Sequence, residues 1–306
     1  MNCLRTIFVD FRSKSHVIRY KSTQTSTDYC LESLKKYDYE NFVCTLLLKD
    51  AQSRTAAIAI RGFNIEVARV AEQVSQPNIG LMRLKFWEET VDKCFTGDLN
   101  KIPKHPVAEE LFRVLSTTKL TKRYLKNLIA CRVENINKTH FLDLDALEKY
   151  ADQSVSNVYY LLLEGSGVRN VHADHAASHL GKAQGILQQL RSIPVARSIN
   201  FLAIPQDILI KHKLSHEEVL RGKESEKLNE CAFEVASRAH IHLVKARNLM
   251  KSVPEESRKV LLPAALVENY LNRLQNVHHN VFHKSLQQRA WMWLPKLYIN
   301  SIKNVY

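Results

Sequence analysis

The chain has 306 residues, 45% of them apolar, which suffices for a packed core in one large domain or two small ones. Only 8 Gly and 8 Pro interrupt it, and apolar residues recur at helical rather than alternating intervals, so an all-α protein is expected and sheet architectures are not. The formal charge of +13 favours acidic partners, but no Lys/Arg tract, aromatic-interleaved signature or Cys/His finger spacing accompanies it, so no nucleic acid is expected among them.

Residues 1–27 carry Arg5, Arg12, Lys14, Arg19 and Lys21 against the single acid Asp10, with eight Ser or Thr. That composition is expected of a mitochondrial targeting segment. Residues 28–306 retain 39 Lys plus Arg against 30 Asp plus Glu, a charge of +9, and show no composition break, so one domain is expected there.

Helical periodicity begins over 29–47. From 53 to 74, Ala56, Ile60, Phe63, Val67, Val70 and Val74 step by four and three along one stripe, with Ser53 as the expected cap and Pro77 as the stop. Further helices are expected over 78–94, 107–115, 122–136 and 144–163. Ala176, Leu180, Ala183, Leu187 and Leu190 repeat the stripe as far as Pro194, and Gly181 and Gly185, one turn apart, leave room for another helix to approach. The longest stripe, Leu228, Ala232, Val235, Ala239, His242, Ala246 and Leu249, stops before Pro254. Helices over 263–277 and 285–302 bring the total to about ten.

Six cysteines, Cys3, Cys30, Cys44, Cys94, Cys131 and Cys231, are widely spaced without a C-x-x-C pair, which is expected of free thiols in a reducing compartment. The sequon Asn137-Lys138-Thr139 carries no weight in that setting. No apolar run approaches the ~20 residues that span a bilayer. Trp291, Trp293, Tyr298 and Tyr306 among Arg289, Lys296 and Lys303 are read either as simply the last core helix or as a segment suited to peripheral contact with an anionic membrane.

Several blocks together resemble a known family. Tyr29-Cys30-Leu31, Asp38-Tyr39-Glu40, Leu46-Leu47-Leu48, Phe63-Asn64-Ile65-Glu66, Arg83-Leu84-Lys85-Phe86-Trp87, His172-Ala173-Asp174-His175-Ala176-Ala177 and Ser285-Leu286-Gln287-Gln288 are similar in order and spacing to the mitochondrial complex I assembly factor six group. That group is a branch of the squalene/phytoene synthase family. The resemblance runs from about Asp28 to the C-terminus and implies a single-domain, isoprenoid-synthase-like helical bundle.

The synthases of this family hold two diphosphates through Mg²⁺ on two Asp-rich sites, each with carboxylates four apart on one helical face. Anchored on Phe63, the first site falls on Ala68 to Glu72, where one carboxylate is missing and Arg69 intrudes. Anchored on Arg191, the second falls near Ser192 to Ala196, with no acid. The chain is therefore expected to be a non-enzyme with no cofactor and no catalytic or metal site. Glu66, Arg69 and Glu72 are read either as ordinary surface pairs on a helix or, with His175, His179 and Arg191, as lining a remodelled cavity. His172, His175 and His179 share one helical stripe, but three histidines on one helix rarely converge on one ion. His242, on an apolar stripe, is expected to be a hydrogen-bonded core residue. Gly165-Ser166-Gly167 lacks the other glycines of a nucleotide loop and reads as a helix-ending turn.

The resemblance implies a mitochondrial protein, peripheral to the matrix side of the inner membrane, that binds complex I subunits or assembly intermediates during assembly. The competing readings are a prenyl-diphosphate transferase with unusual ligands such as Glu66 and Glu72, and a passive isoprenoid or lipid binder.

Overall fold

A computed structural model describes residues 25–199, 201–288 and 291–306; the basic segment up to residue 24 lies outside them. Twelve helices of eight residues or more account for the architecture: α1 (Ser26–Tyr37), α2 (Tyr39–Leu46), α3 (Ala51–Ala68), α4 (Pro77–Cys94), α5 (Pro106–Thr117), α6 (Lys122–Asn135), α7 (Leu144–Ala151), α8 (Asn157–Gly165), α9 (Val171–Ser192), α10 (Glu226–Asn248), α11 (Ala264–Asn276) and α12 (Trp293–Lys303). Shorter helical turns join them, and among the described residues no strand forms, only an isolated bridge between His140 and Leu202. The all-α expectation holds.

The long amphipathic stripes bury as their spacing predicts. Ala176, Leu180, Ala183, Leu187 and Leu190 of α9 lie in the core, as do Leu228, Ala232, Val235, Ala239 and Ala246 of α10, and these two helices pack along each other. Helix α8 bridges α9 to α3, which in turn lies against α1 and α5. Phe63, at the centre of α3, is fully buried and meets Trp87 of α4 edge-on at 5.7 Å between ring centroids.

Gly181 and Gly185 do admit a close neighbour. A Cβ on Gly181 would come within 2.5 Å of the Ser156 Cα, and one on Gly185 within 2.8 Å of the Ala151 Cα. The neighbour is a π-helical turn, Asp152–Ser156, that joins α7 to α8, so the expected single helix over 144–163 is interrupted where it meets α9.

Five boundaries differ from expectation. Helix α3 is capped by Asp50, whose carboxylate accepts from the Ser53 N–H at 2.7 Å, and not by Ser53 itself. It stops at Ala68 rather than running to 74; Ala71–Gln73 forms a separate 3-10 turn, and Pro77 is the first residue of α4 rather than a stop. The helix expected over 29–47 is cut at Asp38, whose N–H closes α1 by donating to the Leu34 carbonyl at 2.8 Å. The stretch over 285–302 likewise splits into the turn Lys284–Gln287 and α12. Thr25 and Asp28 form a capping box at the start of α1, so Thr25, Ser26 and Thr27 enter the folded body. Cys30, Cys44, Cys94, Cys131 and Cys231 are buried free thiols.

Candidate functional site

The residues singled out from the sequence do not gather in one place. On α9 the rise of about 1.5 Å per residue puts Arg191 roughly 24 Å from His175 and 18 Å from His179 along the axis. His175 is exposed, so it lines no cavity. The six residues expected to line a cavity therefore do not lie side by side along α9 and α3.

At the end of α3, termination of the helix separates the two carboxylate positions. Ala68 closes α3 and is exposed, whereas Glu72 sits on the following 3-10 turn and is also exposed. Two positions four apart face one ion only while the helix continues through both. The i,i+3 surface pairs expected among Glu66, Arg69 and Glu72 give way to contacts with α1. The Tyr29 hydroxyl donates to the Glu66 carboxylate at 2.9 Å, and the Arg69 guanidinium lies over the Tyr37 ring at 3.5 Å from its centroid. Burial, aided by the Glu66 carboxylate, pushes the Tyr29 hydroxyl up to about 12, so it remains a donor. These contacts fasten α1 to α3.

At the second position α9 ends at Ser192, and Ile193–Val195 continues as a 3-10 turn. Arg191 turns back to donate to the Glu40 carboxylate at 2.8 Å, with its guanidinium 5.4 Å from the centroid of the Tyr270 ring on α11. Beside this pair lies a polar chain with a component from each of α2, α3, α8 and α9. The Tyr159 hydroxyl donates to Gln184 Oε1 at 2.5 Å, the Gln184 amide to Asn41 Oδ1 at 3.2 Å, and the Asn41 amide to Asp38 Oδ1 at 2.8 Å. The buried Arg61 approaches Asp38 at 3.6 Å, longer than a hydrogen bond, and its Nε has no hydrogen-bond partner among the described residues. Burial raises the Asp38 carboxyl above the usual carboxylate range, although Arg61 and Asn41 oppose this.

This set of Asp38, Asn41, Arg61, Tyr159 and Gln184 is not among the residues singled out from the sequence. The signal was present: Arg61 interrupts the apolar run Ile58-Ala59-Ile60 before Phe63, and Gln184 sits between the packing glycines Gly181 and Gly185. A polar residue on a buried face requires a partner.

The histidines do other work. His242 is buried; its Nε2 lies 3.1 Å from Glu148 of α7, and its Nδ1 lies 3.0 Å from Nδ1 of His179. Glu148 also accepts from Lys182 at 3.1 Å and Arg238 at 2.8 Å. Burial pushes the Glu148 carboxyl up, but the donors outweigh it and hold it down at about 2. Burial, with Lys245 and Lys182 nearby, presses His179 down to about 4, and burial also lowers His242, so both imidazoles are neutral near pH 7 and one Nδ1–H donates to the other Nδ1. His242 is thus the hydrogen-bonded core residue its stripe implies, and His179 is its partner.

A cleft of about 450 Å³ opens at the opposite end of α3, lined by Asp50, Ser53, Thr118, Lys119, Glu164 and Arg169 among others. It includes none of the residues expected to form a site, and Gly165-Ser166-Gly167 ends α8 at its edge as a turn.

The donor set at the two positions where the resemblance places diphosphate sites does not fit magnesium. A hard divalent cation needs several free oxygen ligands. Neither position offers a carboxylate pair on one helical face, while Glu66 and Glu40 are engaged by Tyr29 and Arg191. Among the described residues, no group of three or more His, Cys, Asp or Glu side chains could hold a metal ion.

Comparison with known proteins sets this geometry in its family. The chain is 42% identical over 281 residues to the Drosophila melanogaster protein named NADH dehydrogenase (ubiquinone) complex I, assembly factor 6 homolog, covering 90% of this chain and 83% of that one. It is 40% identical over 278 residues to the Homo sapiens protein named NADH dehydrogenase (ubiquinone) complex I, assembly factor 6, covering 91% and 82%. The fold is similar to the crystal structure of squalene synthase HpnC from Alicyclobacillus acidocaldarius, with a TM-score of 0.72 at 16% identity over 83% of this chain and 95% of that one. The family model for squalene/phytoene synthase matches residues 34–292, and the chain belongs to the squalene/phytoene synthase family.

Proposed function

We propose that this chain is a non-catalytic member of its family that assists assembly of mitochondrial complex I by binding a subunit or an assembly intermediate, at the matrix face of the inner membrane. The observation that carries the reading is the conjunction at the site: relatives at about 40% identity bear the assembly-factor name, and the carboxylates near the old diphosphate positions are consumed by internal partners. A scaffold kept after its metal ligands are gone retains shape and charge, which suffice for binding. The chemistry offered to a partner is the partly exposed Glu40–Arg191 pair beside the Tyr270 ring. Apolar helix faces commonly take amphipathic segments, and fixed charges at the edge set their register.

Deleting the protein from cells tests the reading. Assembled complex I should fall while squalene and other isoprenoid products hold steady; unchanged complex I would reject the proposal. A prenyl-transfer reading has the family match in its favour. It requires Mg²⁺-dependent pyrophosphate release from farnesyl or geranylgeranyl diphosphate by the purified chain, and our reading predicts none. Passive lipid binding, the remaining alternative, would appear as a retained isoprenoid in native mass spectrometry.

A further inference from the structure

The C-terminal helix leaves an apolar face uncovered. Trp293 and Leu297 of α12 pack with Cys44, Leu262, Ala265 and Leu266 into a small satellite core. On the other side, Tyr298, Ile299 and Ile302 are 62%, 49% and 68% exposed, spaced by one and three residues so that they share a face. Trp291 and Met292, just before the helix, extend the patch at 59% and 83% exposure. Isolated exposed apolar residues are ordinary on a protein surface, but five large ones on a single helix and its lead-in are not.

Charge identifies the occupant. From Asn269 to Tyr306 the sequence contains Arg273, Lys284, Arg289, Lys296 and Lys303 and no Asp or Glu at all. Of these, Lys296 pairs with Glu268 and Lys303 is exposed at the end of α12. An amphipathic helix with bulky aliphatic and aromatic residues outward, lysines at its flanks and no acid is matched to the headgroup boundary of an anionic bilayer. Trp and Tyr suit that boundary because their rings are apolar and their N–H or O–H remains wet.

The geometry points to α12 with its lead-in as the membrane-docking face of this protein, with Trp291, Met292, Tyr298, Ile299 and Ile302 entering the headgroup region of an anionic bilayer. Trp291 meets Tyr39 edge-on at 6.5 Å, and the next residue, Glu40, holds Arg191. The docked face therefore begins at the rim of the Asp38–Arg61 site, and docking turns that rim towards the lipid. This deepens the peripheral location proposed above and rests on it only for the choice of lipid.

The test uses the full chain and flotation with vesicles of phosphatidylcholine, alone or with about one-fifth cardiolipin. The wild type should float with the cardiolipin vesicles and remain behind with phosphatidylcholine alone. An Ile299→Ser/Ile302→Ser variant should bind at least ~10-fold more weakly, since two large side chains leave the interface, and Lys303→Gln should weaken binding about fivefold. Phe233→Ser/Val244→Ser, which removes exposed apolar residues from α10, should float like the wild type and controls for a general loss of hydrophobicity. Equal flotation of the α12 variant and the wild type would overturn the proposal. So would a wild-type dimer that the α12 variant converts to a monomer, because a second copy would then own the face. Intact flotation with loss of a co-purifying complex I intermediate would overturn it too, by giving the face to a protein. None of these vesicle results depends on whether the chain assists complex I assembly.

Discussion

Two polar clusters in this molecule are built from the same ingredients and are finished differently. Around Glu148, one carboxylate takes donors from His242, Lys182 and Arg238, and its position on α7 ties together α9 and α10. Around Asp38, the carboxylate has the Asn41 amide at 2.8 Å, while the buried Arg61 stands off at 3.6 Å with an unpaired Nε. The first environment holds its carboxyl down at about 2, and the second pushes its carboxyl up. A saturated buried charge is structural cement. The Asp38 carboxylate, whose side chain is 23% exposed and less fully paired, contributes less to the fold.

The contrast can be broken first at the scaffold. Gly181→Ala drives a Cβ to within 2.5 Å of the Ser156 backbone, and that backbone cannot swing aside as a flexible side chain would. We expect a loss of about 3 kcal/mol or more, seen as a large drop in the thermal midpoint. A near-normal midpoint would mean that the α9 contact with the π-helical turn is looser than the geometry says.

Glu148→Gln should cost about 2–3 kcal/mol at neutral pH in denaturant unfolding, somewhat less than the full separation of the depressed carboxyl from its unfolded value because solvent screens the partly exposed site. The sign follows from the depression: the contribution is complete above the unfolded value near pH 4.3 and is lost as pH falls through about 2. Glu268, held at about 2 chiefly by Arg247, should titrate in the same window. Acid unfolding concentrated between about pH 4.5 and 2 in the wild type, and flattened in Glu148→Gln, is the expected pattern.

Tyr29→Phe should cost about 1 kcal/mol, the net worth of its hydrogen bond to Glu66. It should leave membrane binding untouched, which separates the α1 fastening from the docking face.

The smallest effect on stability is the sharpest one for the comparison. Asp38→Asn should cost less than Glu148→Gln at pH 7, because the amide escapes the burial penalty on the charged carboxyl and this offsets the loss of the charge opposing Arg61. That penalty grows as pH rises through the raised value and disappears in the amide. A destabilisation matching that of Glu148→Gln would erase the distinction between the two clusters.

The helical architecture was legible because the stripes on α9 and α10 carry their own periodicity, and the two glycines on α9 signalled a close crossing before any neighbour was known. The end of α3 was not legible. Val70 is buried and fits the stripe, yet the chain has already left the helix, since an apolar residue at the right interval packs equally well from a turn. The Asp38 cluster escaped for a different reason. Its members are spread from Asp38 to Gln184, and only tertiary packing brings them together, whereas a motif on one helix can be read by counting. The histidines on α9 share a stripe, but it is His179 that meets His242 of α10, which Glu148 of α7 holds in turn, and those partners decide what the imidazole does.

The central claim is that binding has replaced catalysis on this scaffold. The most direct measurement is pyrophosphate release when the purified full chain meets farnesyl diphosphate and Mg²⁺. The account predicts release at the level of the buffer alone; turnover above that level, abolished by Glu66→Gln or Glu72→Gln, would contradict it.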